Sequence, residues 1–474
     1  MQYPLEVRIA GKPVITDRTL EVTSPYTGET VGKVPICGAD EVDAACRVAQ
    51  AALERDDFPQ AERAAVLERA AGLLQDQLED FAQLQCAEAG KPIQDARKEV
   101  SRCVETLRFS AVEARKLGGE VLPAAASAFG QDKVMFTLRV PIGVVAAITP
   151  FNFPLNLVAH KLGPAIAAGC PVVLKPAPQA PLSAIALVGL LVEAGLPADW
   201  ISTVTDAGSE AGGPLVCHPI PRMVTFTGSA AVGWSIAELA ARKRVALELG
   251  GAAPLIVEPD ADLGEVAAKA AAGGFGYAGQ SCISVQRILV HRDVHADLRD
   301  ALARRASELV MGDPRDEGTD IGPLIEERHI GRVHEWIQEA ERGGATVVTG
   351  GQPEGRLLPA TVVDTPPVDS QLWREEVFGP VVSLRPYDDF AEAIALANDS
   401  RWAIHAGVYT NDLAKVMHSI RKLQFAGINI NDVPTFRLDL APYGGVRDSG
   451  NTREGPASAI QEMTEVRTVS LPAA

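Results

Sequence analysis

The sequence predicts an α/β protein with two doubly wound domains and a small β arm. Between residues 142 and 249, short apolar strands alternate with apolar helices, and a second series of the same kind begins near Ala253. Such alternation is typical of parallel sheets covered by helices. Two further segments, 134–140 and 465–471, show the two-residue alternation of isolated strands. A chain of 474 residues has room for two or three such domains.

The elements are predicted in chain order. Residues 39–115 should be helical, because acidic residues open the first turn at Asp40 and apolar positions then recur every three or four residues. The first α/β series has strands 144–148, 171–174, 201–204, 223–226 and 245–247 and helices 155–168, 182–194 and 229–241. The second series begins with strand 253–257, helix 262–272, strand 288–291 and helix 295–310.

The two alternating segments belong to neither series. They are predicted to be strands without a sheet of their own, which need a partner. We therefore divide the chain into three parts. The first part comprises residues 1–118 and 141–249, the second comprises residues 250–457, and the arm comprises residues 119–140 and 458–474.

Composition excludes several classes of partner. The net charge is −17 and the pI is about 5.0, with no long basic block, so nucleic acid and anionic membranes are not expected partners. Residues 1–6 lack the features of a secretory leader and no apolar run is long enough to span a membrane, which indicates a cytoplasmic enzyme. The seven cysteines contain no C-x-x-C pair, so neither a disulfide framework nor a metal site is expected.

Two polar residues in glycine-rich settings are candidates for covalent chemistry. Cys282 lies in Gly-Gln-Ser-Cys, and Glu248 stands 34 positions upstream in Glu-Leu-Gly-Gly. A lone cysteine is more often a small buried apolar residue than a nucleophile. Here the polar, glycine-flanked loop favours a nucleophile with Glu248 as its general base.

A third candidate is Asn152, in the segment Pro-Phe-Asn-Phe-Pro. The flanking prolines stiffen the turn, and the carboxamide N–H groups could face an oxyanion.

The best candidate for a phosphate site is the segment from Phe226 to Gly233. It follows an apolar strand and opens a helix at Ser229, so the backbone N–H groups near Gly228 and Gly233 could bind a pyrophosphate. The Gly-x-Gly-x-x-Gly string at 274–279 is rejected, because it follows a helical run and leads into Cys282 rather than opening a helix after a strand.

Lys175 ends an apolar strand at the carboxyl edge of the predicted sheet, where it could hydrogen-bond an adenosine ribose.

Together these motifs resemble the aldehyde dehydrogenase superfamily over nearly the whole chain. The resemblance implies an aldehyde dehydrogenase-like fold, with residues 1–118 and 141–249 binding the dinucleotide and residues 250–457 forming the catalytic domain. It also implies that the arm pairs with a neighbouring subunit's sheet, so a homodimer or homotetramer is expected.

The resemblance assigns further residues. Glu376 and Phe378, in Glu-Glu-Val-Phe-Gly-Pro, match the glutamate that binds the nicotinamide ribose and the phenylalanine that borders the nicotinamide. Glu454 matches a glutamate that supports water or proton movement near the catalytic glutamate. Pro178 occupies the position where many NAD-dependent members carry a glutamate that repels a 2′-phosphate. The cofactor is therefore expected to be NAD or NADP.

The expected reaction is oxidation of an aldehyde to a carboxylic acid through a thiohemiacetal and a thioester on Cys282. Three alternatives are weighed. A CoA-acylating member typically lacks the glutamate matched by Glu248, a non-catalytic structural or binding member would be expected to lose a catalytic residue, and a cysteine hydrolase would need a histidine partner for Cys282.

The segment from Asn431 to Gly445 most resembles the lactaldehyde, glyceraldehyde-phosphate and phosphonoacetaldehyde branch. Its substrates are short and often anionic, and Arg437 could bind a carboxylate or phosphonate. Many anion-using members carry a histidine and an arginine where this chain has Phe153 and Ser281. These two substitutions predict a less basic substrate mouth, so a short neutral or aromatic aldehyde remains as open as an anionic one.

Overall fold

The computed structural model describes residues 6–473. The prediction made for residues 1–6 therefore falls mostly outside the described residues. The strands are β1 Arg8–Ile9, β2 Lys12–Pro13, β3 Thr19–Thr23, β4 Thr30–Pro35, β5 Val121–Leu122, β6 Lys133–Pro141, β7 Val145–Ile148, β8 Val172–Lys175, β9 Ile201–Thr203, β10 Met223–Thr227, β11 Arg244–Glu248, β12 Ala253–Val257, β13 Val285–His291, β14 Thr346–Thr349, β15 Thr361–Asp364, β16 Val381–Tyr387, β17 Trp402–Ala403, β18 His405–Tyr409, β19 Gly427–Ile430, β20 Val446–Arg447 and β21 Thr464–Pro472.

The helices follow the same chain order. They are α1 Ala39–Arg55, α2 Gln60–Asp76, α3 Leu78–Ala89, α4 Ile93–Lys116, α5 Asn156–Ala168, α6 Leu182–Glu193, α7 Gly212–Cys217, α8 Ala230–Leu239, α9 Leu263–Phe275, α10 Arg292–Glu308, α11 Glu327–Arg342, α12 Gln371–Arg374, α13 Phe390–Asn398, α14 Leu413–Lys422 and α15 Pro456–Glu462.

The first sheet has five parallel strands in the order β11-β10-β7-β8-β9. Its central strands read as continuous apolar runs because both faces are buried, as in β7 and β8, where every residue is buried. The strands and helices predicted for this series are confirmed to within a few residues at each end. Strand order reverses between β7 and β10, and ligands of open α/β sheets bind beside such a reversal.

The second sheet has seven strands in the order β14-β15-β16-β13-β12-β18-β19, and only the edge strand β14 is antiparallel to its neighbour. The strand predicted at 253–257 is confirmed. The strand predicted at 288–291 begins three residues earlier, and the helix predicted at 295–310 is α10, which begins at Arg292.

Helices α1 to α4 precede the first sheet, as predicted, and contribute to the same hydrophobic core. The acidic residues that predicted the start of α1 act there directly. The Glu41 carboxylate accepts a hydrogen bond of 2.7 Å from the Gly38 N–H, which satisfies one of the free N–H groups at the helix start.

One prediction about the arm is wrong. Segments 134–140 and 465–471 are not strands without a sheet, because β6 and β21 pair with each other antiparallel over nine residue pairs, and β5 adds a third strand. Their equal length and matching alternation allow this pairing within one chain. Several large apolar side chains of this sheet remain exposed: Val121, Val134, Leu138, Val466 and Leu471.

The two sheets present opposite edges to each other. Lys175 and Glu248 are the last residues of β8 and β11, at the carboxyl edge of the first sheet, whereas Cys282 shortly precedes β13 in the second. A Cβ atom on Gly251 would overlap the Cys282 carbonyl oxygen, so only glycine permits this approach. The Gly-x-Gly-x-x-Gly string at 274–279, which we rejected as a dinucleotide site, spans the end of α9 and a 3₁₀ turn. It does not open a helix after a strand.

Within residues 6–473, no helix combines the length and apolar character needed to cross a membrane.

Candidate active site

Cys282 lies half-buried in a small apolar cluster with Ile283, Ile404 and Tyr443. Its Sγ atom lies 2.7 Å from the Tyr443 hydroxyl oxygen. Burial raises the pKa of the Cys282 thiol to about 12, although the Tyr443 hydroxyl and the Arg437 charge oppose the shift. The free thiol is therefore the favoured form in this environment, and any group that stabilises the thiolate assists nucleophilic attack.

Glu248 is a buried carboxylate whose two oxygens have no hydrogen-bond partner among the described residues. Burial raises the pKa of Glu248 well above its usual range, and the neighbouring Glu454 carboxylate raises it further. A Cβ atom on Gly444 would lie 2.5 Å from Glu248 Oε1, so the segment Tyr443-Gly444 passes directly beside this carboxylate. An unpaired buried carboxylate is costly, and it marks a place where a water molecule or substrate can bind.

The same segment brings the two predicted groups together. Tyr443 contacts the Cys282 sulfur and its neighbour Gly444 contacts the Glu248 carboxylate.

Asn152 is buried at the turn after β7, and its Nδ2 atom donates a hydrogen bond of 2.9 Å to the Gln280 carbonyl oxygen. Gln280 is two residues before Cys282, so the carboxamide is fixed beside the nucleophile loop. An amide nitrogen carries two protons, and the second remains for an oxyanion.

A cavity of about 420 Å³ opens beside Cys282. All three predicted substrate residues line it: Phe153, Ser281 and Arg437. The prediction that Phe153 and Ser281 make the mouth less basic than in anion-using members stays a prediction, but cations reach the cavity from helices distant in sequence. The cationic lining residues are Lys91, Lys98, Arg102, Lys269 and Arg437, against the acidic Asp95, Glu99 and Asp432.

Arg437 is held inside this wall. Its Cζ atom lies 3.6 Å from the centre of the Tyr443 ring, and its Nη2 atom donates to Glu454 Oε2 at 3.3 Å. Nη2 also lies 3.2 Å from His160 Nε2. Its Nε atom has no hydrogen-bond partner among the described residues.

Asp439 organises the charges behind the cavity. Its carboxylate accepts two hydrogen bonds from Arg102, of 2.8 and 2.9 Å, and one of 3.0 Å from Asn156. The His160 Nε2 atom lies 2.9 Å from the same carboxylate. Burial opposes ionisation, but His160 and Arg102 hold the pKa of Asp439 far below its usual range.

The same cluster contains a second carboxylate, Glu454. Glu454 is shared by Lys161 at 3.4 Å and Arg437 at 3.3 Å, and Asp439 pairs with Arg102 at 2.8 Å. Burial lowers the pKa of His160, which favours its neutral form. The cations Arg102, Lys161 and Arg437 thus surround the two carboxylates.

The predicted cofactor residues lie at the carboxyl edge of the first sheet. Ser229 precedes α8 without a side-chain cap, and the Gly228 N–H donates to the Glu248 carbonyl oxygen at 3.0 Å. A Cβ atom on Gly233 would overlap the Leu249 side chain, so this glycine allows close packing of α8. An uncapped helix N-terminus beside the reversal of strand order fits a pyrophosphate.

Lys175 is buried, and its Nζ atom pairs with Asp206 Oδ1 at 2.7 Å. This partner fixes the lysine at the strand end and was not predicted from the sequence.

Glu376 and Phe378 approach from the second sheet. Glu376 Oε1 accepts a hydrogen bond of 2.9 Å from the Gly251 N–H, and burial raises its pKa to about 7. Phe378 adopts a positive φ of 47° and packs edge-on against Phe151 at 5.9 Å between ring centres. A strained backbone at a non-glycine residue is a feature of functional sites.

Sequence reasoning missed four residues of the site: Tyr443, Lys161, Arg102 and Asp439. Tyr443 lies directly before a glycine pair in the segment Pro-Tyr-Gly-Gly. This position is the signal in the sequence that could have identified it as a site residue. Arg102 and Asp439 lie 337 positions apart, and no local pattern joins them.

Comparison with known proteins decides the family. The model of the aldehyde dehydrogenase family matches residues 14–469. The chain belongs to the aldehyde dehydrogenase family. It is 42% identical to a 3-sulfolactaldehyde dehydrogenase of Priestia aryabhattai over 470 residues, which covers 99% of this chain and 98% of that protein.

Two solved structures share the fold. Aldehyde dehydrogenase 21 of Physcomitrella patens, in complex with the reaction product succinate, has a TM-score of 0.95 and 37% identity, covering 99% of this chain and 98% of that one. A glyceraldehyde-3-phosphate dehydrogenase of Methanocaldococcus jannaschii, complexed with NADP, has a TM-score of 0.92 and 36% identity, covering 96% and 100%. The predicted fold and branch are confirmed, and the enzyme is an NAD(P)-dependent aldehyde dehydrogenase.

Proposed function

We propose that this enzyme oxidises a short aldehyde with an anionic group to the carboxylic acid, with Cys282 as nucleophile and Glu248 as general base. The observation that carries the proposal is the meeting of these two residues across Tyr443-Gly444, with Glu248 unpaired and with Cys282 lining a cavity rich in cations.

The chain's own groups account for each step on the substrate. The Cys282 thiolate attacks the carbonyl carbon, and the oxyanion accepts hydrogen bonds from the Asn152 carboxamide and the Cys282 N–H. A bound nicotinamide cofactor supplies the hydride acceptor. Glu248 then takes a proton from water, which hydrolyses the Cys282 thioester and regenerates the thiol. The presence of Glu248 favours hydrolysis over transfer of the acyl group to CoA.

For the cofactor, we assign the pyrophosphate to Gly228, Ser229 and Gly233 at the start of α8. Lys175 is assigned to the adenosine ribose. Glu376 is assigned to the nicotinamide ribose and Phe378 to the border of the nicotinamide.

Pro178 leaves the adenosine ribose without the carboxylate that would repel a 2′-phosphate. Both NAD and NADP should therefore be used, with kcat/KM values within about a hundredfold of each other, and Pro178→Glu should shift the preference towards NAD.

The anionic substrate class has two supports. Arg437 and Arg102 line the cavity, and the named relatives act on sulfonated or phosphorylated aldehydes or carry a dicarboxylate product. A planar guanidinium binds carboxylate, sulfonate and phosphate oxygens in pairs.

Two substitutions test the proposal. Cys282→Ala should abolish aldehyde oxidation and leave cofactor binding intact; turnover above about one hundredth of wild type would refute the nucleophile, because loss of a covalent nucleophile costs several powers of ten. Arg437→Ala should raise KM about ten- to a hundredfold for a short aldehyde ending in a carboxylate. The neutral aldehyde of equal length is the matched control, and equal losses for both would make Arg437 structural.

Three further assignments belong to the proposal. Residues 1–118 with 141–249 form the dinucleotide-binding domain and 250–457 the catalytic domain. The exposed apolar side chains of the arm, 119–140 with 458–474, support a homodimer or homotetramer, which light scattering would test. A cytoplasmic location is proposed from composition.

A further inference from the structure

The hydroxyl of Tyr443 is the polar group in contact with the proposed nucleophile. The Tyr443 oxygen lies 2.7 Å from Cys282 Sγ, inside an apolar cluster formed with Ile283 and Ile404. In such surroundings a thiolate has few sources of stabilisation, since burial disfavours the charged form and the nearby Glu376 carboxylate opposes it as well.

Three sets of contacts hold Tyr443 in place beside the Cys282 sulfur. Its backbone pairs with Glu454 in both directions, with the Tyr443 N–H donating to the Glu454 carbonyl oxygen at 3.0 Å. Its ring faces the Arg437 guanidinium at 3.6 Å, and the His405 ring meets it edge-on at 5.1 Å between ring centres. The side chain is buried, so its hydroxyl cannot turn freely to bulk water.

We propose that Tyr443 is a further catalytic residue, whose hydroxyl donates a hydrogen bond to the Cys282 thiolate before attack. The proposal rests on the assignment of Cys282 as nucleophile. In the thiolate form sulfur carries no proton, so in this pair the tyrosine hydroxyl must be the donor.

The balance of the step is simple. The thiol proton leaves to water, a sulfur lone pair forms the carbon–sulfur bond, and the carbonyl π pair moves onto the substrate oxygen. The tyrosine proton stays on its own oxygen, and nothing is oxidised or reduced in the addition. The Arg437 charge over the ring withdraws electron density from the phenol, which strengthens the hydroxyl as a donor.

Tyr443→Phe separates this role from packing, because it keeps the ring under Arg437 and removes only the hydroxyl. The rate of Cys282 alkylation by iodoacetamide should fall roughly 3- to 15-fold at each pH between about 6 and 9, the range expected when a charge-assisted hydrogen bond to a thiolate is lost and part of the effect is offset by higher intrinsic nucleophilicity. The value of kcat/KM should fall by a similar factor.

Two controls belong in the same experiment. Cys217 is exposed, and its alkylation in the same sample, followed by peptide mass spectrometry, should not change. Tyr409→Phe removes a different buried hydroxyl, one without a hydrogen-bond partner among the described residues, and should leave Cys282 alkylation at the wild-type rate.

The outcomes are distinct. A purely steric role for Tyr443 predicts faster alkylation in Tyr443→Phe, because the missing hydroxyl opens space beside the sulfur, and an unchanged or faster rate would overturn the proposal. If Cys282→Ala retains turnover, the proposed function itself fails. An inactive Cys282→Ala combined with an unslowed Tyr443→Phe would leave the nucleophile in place and remove only the role of Tyr443.

Discussion

Two buried carboxylates near Cys282, Glu248 and Glu454, differ in how their charge is balanced. Glu454 is 5% exposed and contacts Lys161 and Thr227 through Oε1 and Arg437 through Oε2, each at 3.3 to 3.4 Å. Glu248 is 2% exposed and has no hydrogen-bond partner on either oxygen among the described residues.

Because of this difference, the pKa values of the two carboxyl groups shift in opposite directions, although both groups are almost fully buried. Burial by itself would raise the pKa of Glu454, but Lys161, His160 and Arg437 together hold it below its usual range. Burial raises the pKa of Glu248, and the Glu454 charge adds to that effect. Glu454 is therefore a fixed anion, whereas Glu248 is able to take and release a proton during the cycle. We infer that the neighbours, more than burial, divide the two roles.

The largest expected effect comes from a substitution in the charge cluster around Glu454, where the carboxylates are paired with cations. Asp439→Asn keeps the shape of the side chain but removes the charge that holds Arg102 and His160. The free energy of unfolding should fall by about 3 kcal/mol, the lower end of the range for a buried ion pair left with one partner, as measured by urea denaturation.

Asp388→Asn is the matched control, because its ion pair with Arg292 is exposed on both sides. It should have little effect on unfolding. Equally small effects of both substitutions would show that the cluster is not a stabilising unit.

A second substitution tests how the charge of Glu454 affects the pKa of Glu248. Glu454→Gln removes a negative neighbour of Glu248 and leaves the charges of Lys161 and Arg437 unopposed, so the pKa of Glu248 should fall. A general base works in its deprotonated form, and its activity is lost as pH falls through its pKa. The acid limb of the kcat profile should therefore move to lower pH, with a severalfold gain in the fraction of maximal kcat retained at the acid end.

Glu454→Asp keeps the charge and should leave that limb near its wild-type position. If the acid limb moves equally in both variants, the effect results from altered packing and not from the lost charge.

The last effect concerns Glu376, whose pKa burial raises to about 7. The carboxylate form accepts hydrogen bonds from ribose hydroxyls, and protonation removes that capacity. Because the protonated fraction grows as pH falls through 7, the cofactor Kd should rise by up to roughly tenfold between pH 8 and pH 6, measured by fluorescence titration.

Glu376→Gln should bind cofactor more weakly and without this pH dependence. A wild-type Kd that is constant across the interval would contradict the ribose assignment.

The sequence predicted those parts of the site that lie at the ends of strands. Lys175 and Glu248 end β8 and β11, and Ser229 precedes α8, so apolar periodicity located each of them at the sheet edge. Asn152 follows β7 in the same way. Local patterns are sufficient there, because one strand and the turn after it determine the position of the side chain.

The charge cluster could not be predicted in that way. Arg102, His160 and Asp439 come from two helices and a loop, and the last two are separated by 279 positions. Their charges meet only through tertiary packing, so no local pattern predicts them. The pairing of β6 with β21 is a similar long-range contact that alternation alone does not reveal.

The central claim is that the unpaired Glu248 activates water after the acyl group has been transferred to Cys282. Rapid mixing of Glu248→Gln with aldehyde and cofactor tests it most directly. The account predicts a burst of about one equivalent of reduced cofactor per site followed by a slow steady state, because acylation proceeds and hydrolysis does not. Cys282→Ala should show no burst. Full steady-state turnover by Glu248→Gln would contradict the account and transfer the role of base to another carboxylate.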